Sequence, residues 1–397
     1  MFLTHVVRQF YPGVGGLENH VLDLAAAQVA EGHRVRVVAL NRLFKDAQAK
    51  VLPAQETLNG IEIVRIPFRG SSRYPIALSV LQHIKDADIV HVHAIDFFFD
   101  FLAWTKPFHR RPLVATTHGG FFHTSYAAGL KRLWFATLTR WSARAYDAII
   151  ACSASDYDRF RTLNLERLVL IEDGVNTDKF RDAASKNFRK SILWIGRFSQ
   201  NKRIDRFVQF AKSLRQIDPE WTFTIVGRPD DLQTSDIAAL ADAAQVEDAI
   251  QVVTSPSDAQ LRKLMGDCSF IASTSDYEGF GMTAVEGLSA GLFPLLSDIP
   301  PYRRLVQATG LGLILDYADP DAAARAASAE AKTLVSSIGR RRRASMEAAA
   351  GYDWAHISRK TSELYEQVLN GDVTGEDPED RNASESLDNG GVSIAKH

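Results

Sequence analysis

The sequence predicts an α/β protein of two doubly wound, Rossmann-like domains, and three observations predict it. Its 397 residues exceed the ~250–300 that one hydrophobic core serves. Short β-branched runs alternate with helical apolar periodicity in both halves. A polar stretch from Asn176 to Lys190 interrupts that alternation near the middle, where a hinge is expected. With 46% hydrophobic and 24% charged residues, the composition excludes collagen-like, coiled-coil and wholly disordered chains. No apolar run reaches the ~18–20 residues of a membrane span, and MFLTHVVRQFYPG lacks a signal-peptide pattern, so a cytoplasmic protein is expected. Cys152 and Cys268 stand far apart without metal-ligand spacing and read as small buried hydrophobes.

The elements follow in order. Apolar LTHVV, the glycine loop Pro12-Gly13-Val14-Gly15-Gly16 and the periodic Val21, Leu22, Leu24, Ala25, Val29 form a first strand–loop–helix unit. Arg34–Leu40, Glu62–Ile66, Ile89–His93, Leu113–Thr117 and Ala148–Ala151 are further strands, apolar enough to be covered on both faces. The second half predicts strands at Ser191–Ile195, Thr222–Val226, Ile250–Val253, Phe270–Ser273 and Leu292–Leu296. Its helices are expected at Arg203–Leu214, Ser235–Ala244, Asp258–Met265 and Thr283–Ala290. The domains are expected at 1–176 and 188–352, with a helix at about 353–370 packing back on the first. The stretch 371–397 is too polar to bury and reads as a disordered tail.

Residues 1–175 carry a net charge of +4 and the tail −5. That is far less positive charge than nucleic-acid binders concentrate, but it suits an anionic membrane surface. Two facing α/β domains imply a cleft, with ligands at the carboxyl ends of strands.

The most informative segment is STSDYEGFGMTAVEGLSAG. Glu278 is expected to end a strand, Gly279-Phe280-Gly281 to turn the chain, and a helix to start near Met282 and Thr283, with Glu286 in its first turns. Glycines allow close backbone approach and a helix start favours phosphate, so this loop suits a nucleoside diphosphate whose sugars meet two carboxylates. Glu-Gly pairs at helix starts are also common without function. Arg197 and Lys202 follow the strand SILWI and suit a diphosphate leaving group, because cations there neutralise growing charge. A solvated strand-end loop is the plainer alternative. Gly15-Gly16 is a third phosphate-compatible turn, with neither GxGxxG nor GxxxxGK[ST].

His118 follows the strand LVATT and is placed to hydrogen-bond or shuttle a proton, although a lone histidine is often structural. His91 and His93 alternate on a buried strand and read as structural. There is no HExxH and no His/Asp cluster at ligand spacing, and Asp86-Ala87-Asp88 precedes its strand, so no metal is expected. Over Lys131–Asp147, helical spacing puts Trp134, Leu138, Trp141 and Ala145 on one face and Arg132, Arg140 and Arg144 roughly opposite. Such a helix lies either at a membrane interface or against a core. Phe97-Phe98-Phe99 and Trp104–Arg111 add aromatic and basic character, and Arg340–Arg343 reads as a solvated helix face.

These residues resemble family 4 of the retaining glycosyltransferases, of GT-B architecture. The E-x7-E spacing of Glu278 and Glu286, the Gly15-Gly16 loop, Gly196-Arg197 with Lys202, and Asp173-Gly174-Val175-Asn176…Phe180 all fit, over residues 1 to about 370. HVVRQFYPGVGGLE, GSSRYPIALSVL, IDFFFDFLAWTKPFH, THGGFFHTSYA and LSDIPPYRRL are similar to the xanthan-type α-1,3-mannosyltransferases. Those move mannose from GDP-mannose to cellobiosyl-diphosphoprenol in bacterial exopolysaccharide assembly.

The resemblance implies that Arg197 and Lys202 hold the diphosphate and that Glu286 bonds the ribose. It implies that Gly279, Phe280, Gly281, Met282 and Thr283 offer backbone N–H groups and that Glu278 and His118 contact the mannose. Gly15 and Gly16 would approach the diphosphate from the first domain. Lys131, Arg132, Trp134, Arg140, Trp141 and Arg144 would face acceptor or membrane on the cytoplasmic face of the inner membrane. No cofactor or metal is expected. The alternatives are another donor, such as UDP-glucose or UDP-N-acetylglucosamine, another acceptor, or a non-catalytic nucleotide-sugar-binding assembly subunit.

Overall fold

A computed structural model describes residues 1–13, 15–44, 51–72, 74–118, 135–165 and 167–372. The chain divides into two compact units, one of Met1–Asp173 with the described residues from Ile357 on, the other of Gly174–His356.

The first unit is built on an eight-stranded sheet. Its strands are β1 (Phe2–Val6), β2 (Arg34–Leu40), β3 (Gln55–Leu58), β4 (Ile61–Ile66), β7 (Ile89–His93), β8 (Leu113–Thr116), β9 (Ala148–Ala151) and β10 (Leu168–Leu170), while β5 (Arg69–Ser71) and β6 (Tyr74–Ile76) form a separate hairpin. The order is β10-β9-β8-β7-β1-β2-β4-β3, and only the edge pair β3–β4 is antiparallel. Alternation sorts the side chains between two buried faces. Val6, Val38, Val90 and Val92 pack against Phe98, Phe99 and Leu102 on one face. Leu3, Val37 and Ile89 pack against Val21, Ala25, Leu364 and Tyr365 on the other. The C-terminal helix Trp354–Asn370 thus closes a face of the first sheet.

The second unit has a six-stranded parallel sheet, β13 (Ile250–Thr254), β12 (Thr222–Gly227), β11 (Ser191–Ile195), β14 (Phe270–Ser273), β15 (Phe293–Ser297) and β16 (Leu313–Leu315), in that order. Its core joins Trp194, Phe207, Phe223 and Phe270 to the 30-residue helix Pro320–Ala349 through Ala324, Ala327 and Leu334. At Gly227 a side chain could not be accommodated, since a Cβ there would lie 1.7 Å from the Gly196 carbonyl oxygen.

The polar linker expected at 176–190 is instead packed into the second unit. Val175 joins Ala284 and Val285, and Phe180 and Ala184 join Leu193 and Cys268, so the apolar residues in and just before that stretch bind it to the second unit, whose boundary lies at Gly174. Arg342 also departs from the expected solvated face: it is buried, pairs with Asp182 and donates to the Ala184 carbonyl at 3.2 Å. Cys152 and Cys268 are free and buried. No helix among the described residues is long and apolar enough to cross a membrane.

Candidate functional site

In the second sheet β11 has β12 on one side and β14 on the other, so the chain leaves β11 and β14 in opposite directions. That topological switch point is where open α/β sheets bind ligands, and the predicted residues converge there. After β11 a short 3₁₀ turn, Gln200–Lys202, carries Lys202 back over the sheet edge. Glu278 lies five residues beyond the end of β14, in the following loop rather than at the strand end as expected. The Lys202 ammonium donates to Glu278 Oε1 at 2.6 Å, both side chains being largely shielded.

Two further contacts hold that carboxylate. Ser275 donates to the same oxygen at 2.7 Å. The Tyr302 hydroxyl lies 3.2 Å from it and 2.6 Å from Ser273 Oγ. Burial, and secondarily the Glu278 charge, push the Tyr302 phenol well above its usual value, so it stays a donor. The two loops are stitched together as well: Trp194 Nε1 donates to Thr274 Oγ1 at 3.2 Å, Thr274 Oγ1 lies 2.8 Å from the Lys202 carbonyl, and Arg203 and Arg206 both pair with Asp276. Such support preorganises a charge against later movement.

Gly281, at φ +95°, caps the helix Met282–Ala290, and a Cβ there would stand 2.5 Å from the Tyr302 ring. No side chain caps this helix start, Gly279 faces open space, and Met282 is exposed. Phe280 packs on Tyr352 at 5.6 Å. Glu286 is partly buried within that helix, burial raises its carboxyl pKa against the opposing pull of Lys179, and its carboxylate makes no hydrogen bond among the described residues. A shielded carboxylate without partners is an acceptor in reserve for ligand hydroxyls. Arg197, expected to hold the diphosphate together with Lys202, is more than half exposed and pairs with Asp230 at 2.8 Å.

In the first unit, the switch point lies between β1 and β7. Gly15 caps the helix Gly16–Ala30 without a side-chain bond, and a Cβ at Gly16 would meet nothing within 4 Å. His118 follows β8 with a left-handed φ of +52°. It is far from alone. Its Nε2 lies 3.0 Å from His93 Nδ1, His93 Nε2 lies 2.9 Å from His5 Nδ1, and His5 Nε2 lies 2.7 Å from Gln28 Oε1. His20 meets His118 edge-on at 4.4 Å and faces Asp173 Oδ1 at 3.0 Å. Burial holds His118 down to about 3 and His5 to about 4, and keeps His91 and His93 well below the usual histidine value. Burial alone would raise Asp173, but His20 outweighs it and its carboxyl lies below its ordinary value.

The sequence shows no ligand spacing, yet the fold gathers His5/His91/His93, His20/His93/His118 and His118/Cys152/Asp173 into groups whose ligand atoms lie within 4.8 Å. Register does this, since His5 stands opposite His91 in the β1–β7 ladder. Asp86 and Asp88 have structural roles, pairing with Arg36 and accepting from the Phe2 amide.

The amphipathic segment differs from its expected form. Lys131, Arg132 and Trp134 lie outside the described residues. Phe135–Thr139 is a π-helical turn that passes into a short α-helix, Arg140–Ala143. Thr139, Ser142 and Ala143 point inward, while Trp141 and Arg144 are both exposed; three residues apart, they share a side of the helical turn and do not stand on the opposite faces expected. With Trp104, Lys106, Pro107 and Arg110 they line a surface pocket of about 710 Å³, and Arg140 is only partly exposed. Phe108, nearly fully exposed, is an apolar residue that the sequence reading did not single out. Tyr302 was also missed as a site residue, because its contact with Glu278 spans 24 residues with no periodic signal.

Residues 14–179 match the model described as Glycosyltransferase Family 4 and residues 175–332 that of Glycosyl transferases group 1. The chain is 43% identical to the GDP-mannose:cellobiosyl-diphosphopolyprenol alpha-mannosyltransferase of Komagataeibacter xylinus over 92% of its own length and 93% of the relative's. It is equally identical to the enzyme of that name from Xanthomonas campestris, over 93% and 97%. Among solved structures, a glycosyltransferase from Rickettsia africae superposes with a TM-score of 0.68 at 17% identity, over 93% of this chain and 98% of that one. Two parallel-sheet α/β domains, the switch-point site and these matches lead to one conclusion: the chain belongs to the family 4 glycosyltransferases, with the GT-B fold.

Proposed function

We propose that this enzyme transfers mannose from GDP-mannose to a polyprenyl-diphosphate-linked oligosaccharide, cellobiosyl-diphosphoprenol, forming an α-1,3 linkage in bacterial exopolysaccharide assembly. The observation that carries the chemistry is the Lys202–Glu278 contact at the switch point. The 43% identity with enzymes named for that donor and acceptor supports their choice.

In this reading Lys202 stabilises the negative charge that grows on the diphosphate as the bond to mannose C1 breaks. Arg197 contributes once it leaves Asp230. Glu278 contacts the mannose, Glu286 accepts from the ribose hydroxyls, and Gly279–Thr283 offer backbone N–H groups to phosphate and sugar. Gly16, where a Cβ would meet nothing within 4 Å, leaves room for the diphosphate, Gly15 approaches it once the Glu18 side chain beside it moves aside, and His118 hydrogen-bonds the mannose. The acceptor hydroxyl attacks C1 on the face the phosphate leaves, and its proton passes to the leaving phosphate oxygen, so configuration is retained. Lysine and arginine supply the positive charge, and no metal is required.

The enzyme acts at the cytoplasmic face of the inner membrane, held peripherally. Supporting this is the pocket of Trp104, Trp141, Lys106, Arg110 and Arg144, which pairs indole rings with cations as interfacial surfaces do.

Calorimetric titration with GDP-mannose, GDP and UDP-glucose, without added metal, tests the donor. Micromolar binding of the guanine nucleotides alone is expected. Binding of UDP-glucose instead would remove the mannosyl reading while leaving the site in place.

A further inference from the structure

Within HVVRQFYPGVGGLE, Arg8 is a charged residue that the transfer reading does not use. Its neighbours have structural posts. Phe10 is buried, the Tyr11 carbonyl accepts from Arg65 at 2.7 Å, and Gln9 clamps the turn after β2, donating to the Arg42 carbonyl at 2.7 Å and accepting from the Phe44 amide at 3.0 Å. Arg8 has no such post. Its Nε is buried without a hydrogen-bond partner, no carboxylate among the described residues pairs with it, and its guanidinium lies over the Phe44 ring at 5.6 Å. Shielded arginines elsewhere hold a carboxylate each, Arg36 with Asp86, Arg65 with Glu56 and Arg342 with Asp182. A shielded cation without a counter-charge is costly, and an arriving anion relieves that cost.

Its place in the sheet says which anion. The Arg8 carbonyl accepts from the Leu40 amide at 3.4 Å, so the chain still runs beside β2, and alternation puts the Arg8 side chain on the side of Val6. The helix Phe97–His109, capped by Asp96, covers that side. The helix Gly16–Ala30 covers the other, where His5 of the His5–His93–His118 row bonds its Gln28, so Arg8 stands apart from the loop proposed to meet the donor diphosphate. Asp96 does not claim Arg8. Its Oδ1 accepts from the Phe98 amide at 2.9 Å, and Arg8 acts on it from beyond ion-pair reach, as the first influence against the rise that burial imposes on its carboxyl. The β5–β6 hairpin lies over the same helix start, with Tyr74 edge-on to Phe97 at 5.7 Å, and Phe68, just before it, packs on Phe44 at 5.6 Å. Tyr74, Ile76 and Leu78 are 36%, 45% and 59% exposed there. A guanidinium bordered by exposed apolar side chains suits a ligand that joins phosphate to hydrocarbon.

We infer that Arg8 binds the diphosphate of the lipid-linked acceptor, and that Tyr74, Ile76 and Leu78 take its first isoprene units. The inference rests on the proposed acceptor and says where on the first unit it is held. The spacing agrees: only β7 separates β1 from β8, the strand that His118 follows, which sets the two strand ends about 10 Å apart at ~4.8 Å per strand. Two linked glucose rings bridge a gap of that order between a diphosphate and the reacting hydroxyl.

Titration of the full-length protein with farnesyl diphosphate, farnesol and GDP tests this without a transfer assay, so it can fail while the mannosyl reading stands and hold while that reading falls. The wild type is expected to bind farnesyl diphosphate about tenfold or more tightly than farnesol. Arg8→Gln should lose about tenfold in affinity for farnesyl diphosphate, the size of one charge-assisted hydrogen bond, and keep its affinity for GDP. Leu78→Asn, an exposed change, should weaken both prenyl ligands severalfold and leave GDP alone. Equal affinity of the wild type and Arg8→Gln for farnesyl diphosphate overturns the inference, as does a wild type that binds neither prenyl ligand. So does an equal loss of GDP affinity in an Arg8→Gln protein that melts like the wild type, which would assign Arg8 to the donor phosphates. If Arg8→Gln does not melt cooperatively, Arg8→Lys decides by the same comparison, since it keeps the charge and loses the forked geometry.

Discussion

Lys202 and Glu278, 76 residues apart in sequence, meet at 2.6 Å across the switch point of the second sheet. The pairing follows from topology, since the two strands that present them, β11 and β14, are neighbours only because the chain reverses its winding there. A shielded pair of this kind contributes little net stability, but either partner alone would be left uncompensated. Its value lies in holding a cation and a carboxylate ready for a ligand.

Removing either group is therefore expected to cost activity. Lys202→Ala and Glu278→Ala should each lower turnover about 10²-fold, the usual loss of one preorganised electrostatic contact. The double variant should lose less than the product of the two, because each single change strands the other charge. Steady-state kinetics on the three variants decides; turnover within about threefold of wild type in either single variant would show that the pair has another role.

Gly281 and Gly279 form an internal comparison. Gly281→Ala places a Cβ 2.5 Å from the Tyr302 ring at a φ of +95°. It should cost about 1–3 kcal/mol and weaken nucleotide binding by disturbing the helix start. Gly279→Ala enters open space and should leave the thermal midpoint nearly unchanged. Calorimetric melting of both variants checks this, and equal losses would mean that strain at Gly281 is not the cause.

Stability should fall on acidification. His5, His91, His93 and His118 have folded-state pKa values below that of a free histidine, because burial disfavours their charged forms. Below pH ~6.5 the unfolded chain takes up protons that the folded chain refuses, at about 1.4 kcal/mol per pH unit for each. The loss begins as pH drops through that value and runs down to about 4, where His5 titrates, and about 3, where His118 does. Asp96, lifted to about 6 by burial, and Asp100 and Glu286, which burial also raises, oppose it with one proton each. Urea midpoints measured from pH 7.5 to 4.5 should decline, and a flat profile would contradict the neutral row.

The Trp104–Trp141 pocket predicts membrane behaviour. Trp141→Ala and Arg144→Glu should each reduce sedimentation with anionic phospholipid vesicles several-fold, since one basic residue near such a surface is worth about 1 kcal/mol. The melting temperature should hold, because both side chains are exposed. Binding unchanged by either substitution would place the lipid contact elsewhere.

Much of this was legible in the sequence, for physical reasons. Ile89–His93, Ala148–Ala151, Ser191–Ile195 and Phe270–Ser273 carry dense apolar or β-branched residues because both faces of their sheets are covered, and the strands lie where that pattern puts them. Lys202 could be found because it follows a strand end, and Glu278 because it precedes a glycine turn into a helix start. What was hidden depends on relations that no local pattern records. Strand register sets His5 opposite His91. The π-helical turn at Phe135–Thr139 interrupts the single α-helix that apolar spacing suggested for this segment. Arg197 pairs with Asp230 across 33 residues, a contact that no local spacing announces. Phe180, an apolar residue inside the polar stretch, and Val175, just before it, were outweighed by their neighbours and concealed the domain boundary.

The central claim is mannosyl transfer, and one assay tests it most directly. Purified enzyme is incubated without metal with cellobiosyl-diphosphoprenol in vesicles and, separately, GDP-mannose, UDP-glucose or UDP-N-acetylglucosamine, and the extracted lipid is analysed by mass spectrometry and linkage analysis. The account predicts addition of one α-1,3-linked mannose from GDP-mannose alone. Transfer from a uridine nucleotide sugar, or tight GDP-mannose binding with no transfer to the lipid acceptor, would contradict it.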